Sequence, residues 1–391
     1  MEHEDKIQIF QKREDPLLEE FFSQGKISRE IDIYDECIEE LCEIEFPWIK
    51  PGQPVYDATR IRFLDTLLEE KDSLHRWVYY PWINTLVHLP NEKIYKRLRT
   101  SRNRNLITEP EQQALQSKSI GIAGMSVGSN IFNTLVLTGI GGSFKIADMD
   151  TISVPNLNRL MAPVHSVGLN KARFFKRRNL EVDPFLKIDT YETGLGEENF
   201  ESFFSRPNID LFIEEMDNPY LKIKSRQYAK QAKIPVIMAA DNGDGVLIDV
   251  ERFDLEPDRP LFQGRLESLN LDKISPQLTF AEKLSIIALM AGLSEATPRM
   301  QDSIGQVGNK LNTWPQLGTA ALAAGVSLAF IARRILLGED MPSGRYRLSL
   351  EEQFVPNYNS TSQRTAREKH TQEIMDQFNA FQEIIRKIGQ L

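Results

Sequence analysis

Short apolar runs alternate with helical patterns through the middle of the chain. The runs begin near residues 120, 144, 186, 209 and 234, and segments with apolar residues three or four positions apart lie between them. This alternation predicts an α/β fold built on a doubly wound, mostly parallel sheet. A further apolar run at 246–250 follows the turn-forming sequence DNGDG, so we expect the final strands to pair antiparallel.

Residues 1–100 show a different pattern, which predicts a small α+β module. Apolar positions at helical spacing indicate a helix over 31–46, and Pro47 ends it. The segment 77–89 is aromatic and β-branched, so it predicts a strand or a hairpin that is interrupted at Pro81. We expect this segment to offer a sheet edge to which an extended peptide adds as an extra strand.

The rest of the chain divides into a central domain at 101–347, with a long irregular segment at 263–312, and a helical tail at 348–391. In the tail, apolar residues are spaced alternately four and three positions apart, which predicts a helix with one apolar face. These residues are Ile374, Phe378, Phe381, Ile385 and Ile388.

One segment, 317–332, contains no charged residue and is rich in Ala, Gly, Ser and Thr. It is shorter than the about 20 strongly apolar residues that cross a bilayer. We therefore expect no association with a membrane and predict a buried helix at the core or at a subunit interface.

Charge and cysteine content argue against some classes of protein. The chain has 391 residues and a net charge of −9, which argues against a broad nucleic-acid surface. Its two cysteines, Cys37 and Cys42, lie five positions apart in a predicted helix, so their side chains point to different faces. A disulfide framework is thus excluded, and we expect a cytoplasmic protein.

A glycine-containing turn joins the first central strand to a helix. It carries Gly124, Ser126 and Gly128, and the free amides at the start of such a helix are suited to bind a phosphate. A tight strand–helix turn without a ligand gives the same pattern. Asp148 ends the next strand, where a carboxylate binds ribose hydroxyls in nucleotide folds, and Asp150 follows it with a nucleotide-binding or a structural role.

The sequence after this strand is more specific than the glycines. DMDTISVPNLNRL contains both aspartates, Asn156 and Arg159, and Lys171 follows it. The spacing resembles the adenylating superfamily of ubiquitin-activating, molybdopterin-synthase-activating and thiamine-sulfur-carrier-activating enzymes, also called the ThiF/MoeB/HesA superfamily. The segment IDLFIEEMDN, which contains Asp217, is similar to a second element of that superfamily. The resemblance covers about 102–347.

The resemblance implies an ATP-dependent adenylating enzyme. Arg159 and Lys171 would stabilise charge on the phosphates of ATP, Asn156 would contact the nucleotide, and Asp217 would serve Mg²⁺. Arg104, with Arg102 as the second candidate, would reach the γ-phosphate of a neighbouring subunit, which implies a homodimer. The usual turn of the superfamily is G-x-G-G-x-G; here it is one residue shorter, and a serine replaces a glycine.

Two absences bear on the substrate. The chain has no C-x-x-C pair, so we expect no structural zinc, and its central domain has no cysteine to carry a thioester. The long N-terminal module resembles the branch of the superfamily that modifies ribosomally made peptides. That resemblance implies adenylation of a carboxylate on a precursor peptide, expected to be a glutamate side chain, and then cyclisation in pantocin-like antibiotic biosynthesis.

Other functions stay open on the sequence alone. The chain would alternatively activate the C-terminus of a sulfur-carrier protein, or bind nucleotide as a scaffold without chemistry. A scaffold has no need of Arg159, Lys171 and Asp217 together. Hydride transfer with NAD is a further alternative, but the cluster of cations and carboxylates suits a triphosphate better than a dinucleotide.

Overall fold

The computed structural model describes residues 6–50, 52–68, 74–205 and 207–377. These residues divide into two units. Unit 1 runs to Gln113 and includes Arg177–Leu186, and unit 2 comprises Ala114–Lys176 and the chain from Lys187 onward. The last four residues of the predicted stripe in the tail, from Phe378 to Ile388, lie outside the described residues.

Unit 1 contains a four-stranded sheet flanked by helices. Its strands are β1 (Gln8–Phe10), β2 (Arg29–Asp32), β3 (His75–Tyr80) and β4 (Thr85–Pro90). Its helices are α1 (Pro16–Ser23), α2 (Tyr34–Glu45), α3 (Pro54–Leu68) and α4 (Glu92–Arg99), and α5 (Glu109–Gln116) leads into unit 2. Buried apolar side chains such as Leu18, Phe21, Ile38, Leu41 and Leu86 fill the space between sheet and helices.

The predicted hairpin at 77–89 is present. β3 and β4 pair antiparallel, and a 3₁₀ turn over Pro81–Ile83 separates them because proline cannot donate to the ladder. The strand order, however, is β1-β3-β4-β2, so both strands of the hairpin are central. The expectation that this segment offers a free sheet edge is therefore wrong, since the short strands β1 and β2 occupy both sides.

The predicted helix at 31–46 begins later than expected. Its first residues form β2, which pairs parallel with β4. The side chain of Asp32 then accepts a hydrogen bond from the amide of Tyr34, 3.0 Å away, where α2 begins. Pairing with a distant strand thus overrides the local helical pattern.

Unit 2 contains a seven-stranded sheet. Its strands are β5 (Ser119–Ala123), β6 (Ser143–Ala147), β7 (Lys187–Tyr191), β8 (Leu211–Glu214), β9 (Val236–Asn242), β10 (Gly245–Glu251) and β11 (Gly344–Leu348). The order is β11-β10-β9-β8-β5-β6-β7, and the pairs from β9 to β7 are parallel, whereas β9–β10 and β10–β11 are antiparallel. This confirms the predicted doubly wound, mostly parallel sheet.

The helices of unit 2 follow in chain order. They are α6 (Val127–Thr138), α7 (Lys171–Leu180), α8 (Phe200–Ser205), α9 (Pro219–Gln231), α10 (Phe280–Ala291), α11 (Pro298–Ile304), α12 (Gly318–Leu336), α13 (Leu350–Phe354) and α14 (Thr361–Gln377). The last residues of α7 belong to unit 1.

The strand order sets where a ligand would bind. From β5 the chain adds β6 and β7 on one side of the sheet, and it then adds β8 and β9 on the other side. The connections that follow β5 and β8 therefore diverge at the carboxyl ends of these two strands. In open α/β sheets this switch point leaves a crevice in which ligands bind.

The uncharged segment forms most of α12, which packs against α6, β9 and β10. α12 is the one helix within the described residues that is long and apolar enough to cross a membrane, and more than half of its most apolar window is buried in unit 2. Leu322, Val326 and Phe330 form a stripe, four residues apart, that remains exposed.

Candidate active site

The turn between β5 and α6 depends on a glycine. Gly124 has φ +92°, and a Cβ atom at this position would clash with the carbonyl oxygen of Glu215. The helix then begins at Val127, so the amides of its first turn have no partner within the helix. The predicted arrangement of strand, tight turn and helix N-terminus is therefore present at the switch point.

Asp148 braces this turn from the end of β6. Its Oδ2 accepts a hydrogen bond from the amide of Met125 at 2.6 Å, and its Oδ1 accepts one from the amide of Asp150 at 2.8 Å. Burial raises the pKa of this carboxyl, while Lys171 and the two amides oppose the rise. The carboxylate thus holds the turn in shape, and ribose binding by the same group stays a prediction.

Lys171 lies at the same turn, although it is 45 positions from Ser126 in the chain. Its side chain is buried, with Nζ 3.3 Å from Ser126 Oγ and 2.9 Å from Asp150 Oδ2. Its backbone amide also donates to the carbonyl oxygen of Asp150. The preceding residue, Asn170, donates from its side chain to the carbonyl oxygen of Asp148, so both residues fix the start of α7 against the end of β6.

The loop after β6 positions Arg159. Asn156 Oδ1 accepts hydrogen bonds from the amide and the hydroxyl of Ser153, each at 3.0 Å, and this stabilises a 3₁₀ turn over Val154–Asn158. The oxygen of Asn156 therefore serves the loop, and a contact to nucleotide stays a prediction. Arg159 follows the turn, and its Nη1 donates to Asn158 Oδ1 at 2.9 Å.

The carboxylates of Asp217 and Asp241 influence the pKa of Arg159. Burial lowers the pKa of Arg159, and the negative charges of Asp241 and Asp217 oppose that effect. Asp217 is exposed in the loop after β8. Since Asn218 next to it caps α9 by accepting from the amides of Tyr220 and Leu221, the loop that carries Asp217 is held at the end of β8.

Sequence reasoning missed Asp241, which it placed in a turn. Asp241 lies near the end of β9, and burial raises its pKa to about 6. Its Oδ2 accepts a hydrogen bond from Gln316 Nε2 at 3.1 Å, and the carbonyl oxygen of Gln316 accepts one from Asn158 Nδ2 at 2.8 Å. A sequence pattern could have predicted this position. Asp241 follows an apolar run just as Asp217 does, and the carboxyl ends of parallel strands meet at one edge of the sheet.

A largely buried ion network supports the end of β8. Glu214 pairs with Arg226 of α9 and, at 2.9 Å, with Lys222 Nζ, and Arg226 Nε also lies 2.7 Å from Glu251 Oε2 of β10. Burial alone would raise the pKa of Glu214, but the two cations outweigh it and lower the pKa. A buried network of this kind tolerates little movement, so it fixes the strand from which Asp217 extends.

The ThiF family matches residues 100–373, which is most of the chain and includes the whole cluster described above. The chain belongs to the ThiF family. This confirms the resemblance inferred from the sequence.

Three related proteins show how far the likeness extends. An uncharacterised protein of Mycobacterium tuberculosis (strain CDC 1551 / Oshkosh) is 38% identical over 284 residues, which cover 73% of this chain and 39% of that protein. A probable molybdopterin-synthase adenylyltransferase of Porphyra purpurea is 29% identical over 111 residues, 28% of each chain. A crystal structure of Escherichia coli MccB is 16% identical, with 80% of this chain and 83% of that chain covered and a TM-score of 0.46. The chain spans about two fifths of the length of the mycobacterial relative.

The carboxylates of this ThiF-family site suit Mg²⁺. Asp217 is exposed, and Oδ1 of Asp241 is buried without a hydrogen-bond partner among the described residues. Within the same part of the chain no group of three or more His, Cys, Asp or Glu side chains converges on a point. One or two carboxylates are what Mg²⁺ takes from a protein when phosphate oxygens and water complete its shell. The residues present therefore fit the ion.

Arg102 and Arg104, at the start of the ThiF match, lie in unit 1. Arg104 pairs with Glu45, with 2.9 Å between Nη2 and Oε1, and Arg97 holds both oxygens of the same carboxylate. Arg102 is exposed. Reach of either residue to a γ-phosphate in another subunit stays a prediction.

Proposed function

We propose that this ThiF-family protein uses Mg-ATP to adenylate a carboxylate. The observation that carries the proposal is that two cations and two carboxylates lie at or after the carboxyl ends of parallel strands of one sheet. Lys171 lies against the turn before α6, and Arg159 lies in the field of Asp217 and Asp241. This combination suits a triphosphate that must be bound, neutralised and cleaved.

Each residue has a role in that reaction. The first amides of α6 hold phosphate oxygens, and Asp148 keeps the turn in the shape that exposes them. Lys171 and Arg159 neutralise the charge that grows on the phosphates as the substrate carboxylate attacks the α-phosphorus and pyrophosphate leaves. Asp217, with Asp241, would hold Mg²⁺, which supplies further charge neutralisation on the phosphate oxygens.

A relative supports this reading of the chemistry. The Porphyra protein is described as an adenylyltransferase, and the matched segment is 111 residues long. The scaffold alternative requires none of the cations, whereas this chain buries one of them, Lys171, beside the turn. Adenylation therefore accounts for more of the site than nucleotide binding alone.

For the substrate, we propose a ribosomally made precursor peptide, activated on a glutamate side chain and cyclised as in pantocin-like antibiotic biosynthesis. Unit 1 would hold this peptide. The open edges of its sheet are β1 and β2. The amide of Arg29 donates to the carbonyl oxygen of Asn84 just before β4, and the amide of Ile33, just after β2, donates to that of His88 in β4. The backbone groups of the alternate residues Glu30 and Asp32 therefore face outward and are suited to pair with an added strand.

The test is ATP–pyrophosphate exchange. The probe is a synthetic peptide encoded by a short reading frame beside the gene, and the matched control is the same peptide with each glutamate replaced by glutamine. We expect exchange with the first peptide and none with the second. Exchange with both would move the activated group to the C-terminal carboxylate or to an aspartate side chain, and absence of exchange with any carboxylate substrate would refute adenylation.

Activation of a sulfur-carrier C-terminus is the second candidate, because the Porphyra relative is described as acting on molybdopterin synthase. In this chain the acyl group would pass directly to its acceptor. Unit 2 has no cysteine, and burial raises the pKa of Cys37 in unit 1 to about 11, so that thiol is a poor nucleophile at neutral pH. Exchange supported by a carrier protein and by no peptide would favour this candidate.

A further inference from the structure

Ser126 is the residue at which the turn departs from the usual glycine pattern. It is the N-cap of α6, a position where a serine hydroxyl ordinarily accepts a hydrogen bond from an amide of the first turn. Here the side chain makes no such bond. Its Oγ instead lies 3.3 Å from Lys171 Nζ, so the amides of the first turn stay uncapped.

Because Lys171 donates this hydrogen bond, the hydroxyl of Ser126 keeps its own hydrogen free to donate to another group. An ammonium group can only donate, so the hydroxyl of Ser126 is the acceptor, and its own hydrogen must point elsewhere. Among the described residues this hydrogen has no acceptor, and Ser126 is partly exposed. The hydroxyl hydrogen is therefore available to an external acceptor, next to the uncapped amides of α6.

The same contacts argue against Ser126 as a nucleophile. A Ser–Lys pair attacks only when the lysine is neutral and can take the proton. Lys171 Nζ lies 2.9 Å from Asp150 Oδ2, so it is engaged in an ion pair and does not serve as a free base. The hydroxyl keeps its proton, which leaves hydrogen-bond donation as its function.

We propose that Ser126 donates a hydrogen bond through Oγ–H to a phosphate oxygen of the bound nucleotide. The inference rests on the proposed binding of ATP at this turn. The hydroxyl adds a donor beside the uncapped amides of α6, and Lys171, 3.3 Å from Oγ, polarises it while neutralising the same phosphate. A short hydrogen bond from a hydroxyl to an anionic oxygen is among the stronger polar contacts in proteins.

Calorimetric titration tests this with four forms of the full-length protein: wild type, Ser126→Ala, Ser126→Gly and Ser126→Thr. The probes are Mg-ATP and, as the phosphate-free partner, adenosine. We expect Ala and Gly to weaken Mg-ATP binding about tenfold, as loss of a hydrogen bond to a charged group does, and to leave adenosine binding unchanged. Threonine keeps the hydroxyl and should stay within about threefold of wild type.

Ser129→Ala is the matched control in the same turn. Its hydroxyl donates to the carbonyl oxygen of Ser126 at 2.8 Å and is buried, so it should not alter the contrast between the two probes. Wild-type affinity in Ser126→Ala would overturn the inference. Tighter binding in Ser126→Gly would also overturn it, since the Cβ atom would then be an obstacle to the backbone. A wild-type protein that binds no Mg-ATP would refute the nucleotide site itself, and the inference with it.

Discussion

Asp241 gives the sharpest test of the electrostatics of the site. Burial raises its pKa from 3.8 to about 6, and the nearby Asp217 adds to the rise, although Gln316 and Arg159 oppose it. The folded protein thus binds this proton more tightly than the unfolded chain. Stability from this group is fully present below the unfolded pKa and is lost as pH rises through the folded pKa. At neutral pH the charged carboxylate destabilises the fold.

The size of the effect follows from the two pKa values. At about 1.36 kcal/mol for each pH unit, the carboxylate costs about 3 kcal/mol at pH 7 and about 0.6 kcal/mol at pH 4. Asp241→Asn removes the charge, and its amide oxygen can keep the hydrogen bond from Gln316. We therefore expect this variant to be more stable than wild type by about 2–3 kcal/mol at pH 7 and by well under 1 kcal/mol at pH 4.

The measurement is the difference in unfolding free energy between variant and wild type, from denaturant titrations at both pH values. Asp244→Asn is the control, because it neutralises an exposed carboxylate of the same hairpin, bonded to Thr319. That change should alter stability by about 0.5 kcal/mol or less. The reasoning would be refuted if Asp241→Asn is less stable than wild type at pH 7, or if the difference in unfolding free energy is the same at both pH values. Either result would show that Arg159 fully compensates the buried charge.

The remaining predictions concern catalysis and assembly. Asp217→Asn should abolish ATP–pyrophosphate exchange without lowering Tm, because Asp217 is exposed and the network beneath it is intact; near-wild-type exchange would exclude the magnesium role. Lys171→Met and Arg159→Met should each lower kcat by about 10²–10³ if they stabilise charge in the transition state; an effect on KM for ATP alone would assign them to ground-state binding. We also predict a homodimer through the exposed stripe of α12, so Val326→Glu should give a monomer by light scattering; an equally monomeric wild type would contradict this.

The sequence by itself determined the local features of unit 2. Gly124 is required by a turn that approaches another backbone. Lys171 was singled out by the family resemblance, through its spacing from Arg159, and it lies against that turn. The uncharged segment formed a largely buried helix, as expected. These features depend on residue type and on short-range spacing, so they are readable without the fold.

Tertiary structure decided which residues meet. The order of strands in unit 1 made the hairpin central, because two short segments far apart in the chain pair with its sides. The approach of Asp241 to Arg159 and Asp217 required β9 to lie beside β8. The pairing of Arg104 with Glu45 and the use of Asn156 within its own loop are likewise contacts that no local pattern encodes. Hydrophobic periodicity specifies elements and faces, whereas pairing between distant segments depends on the packing of the whole unit.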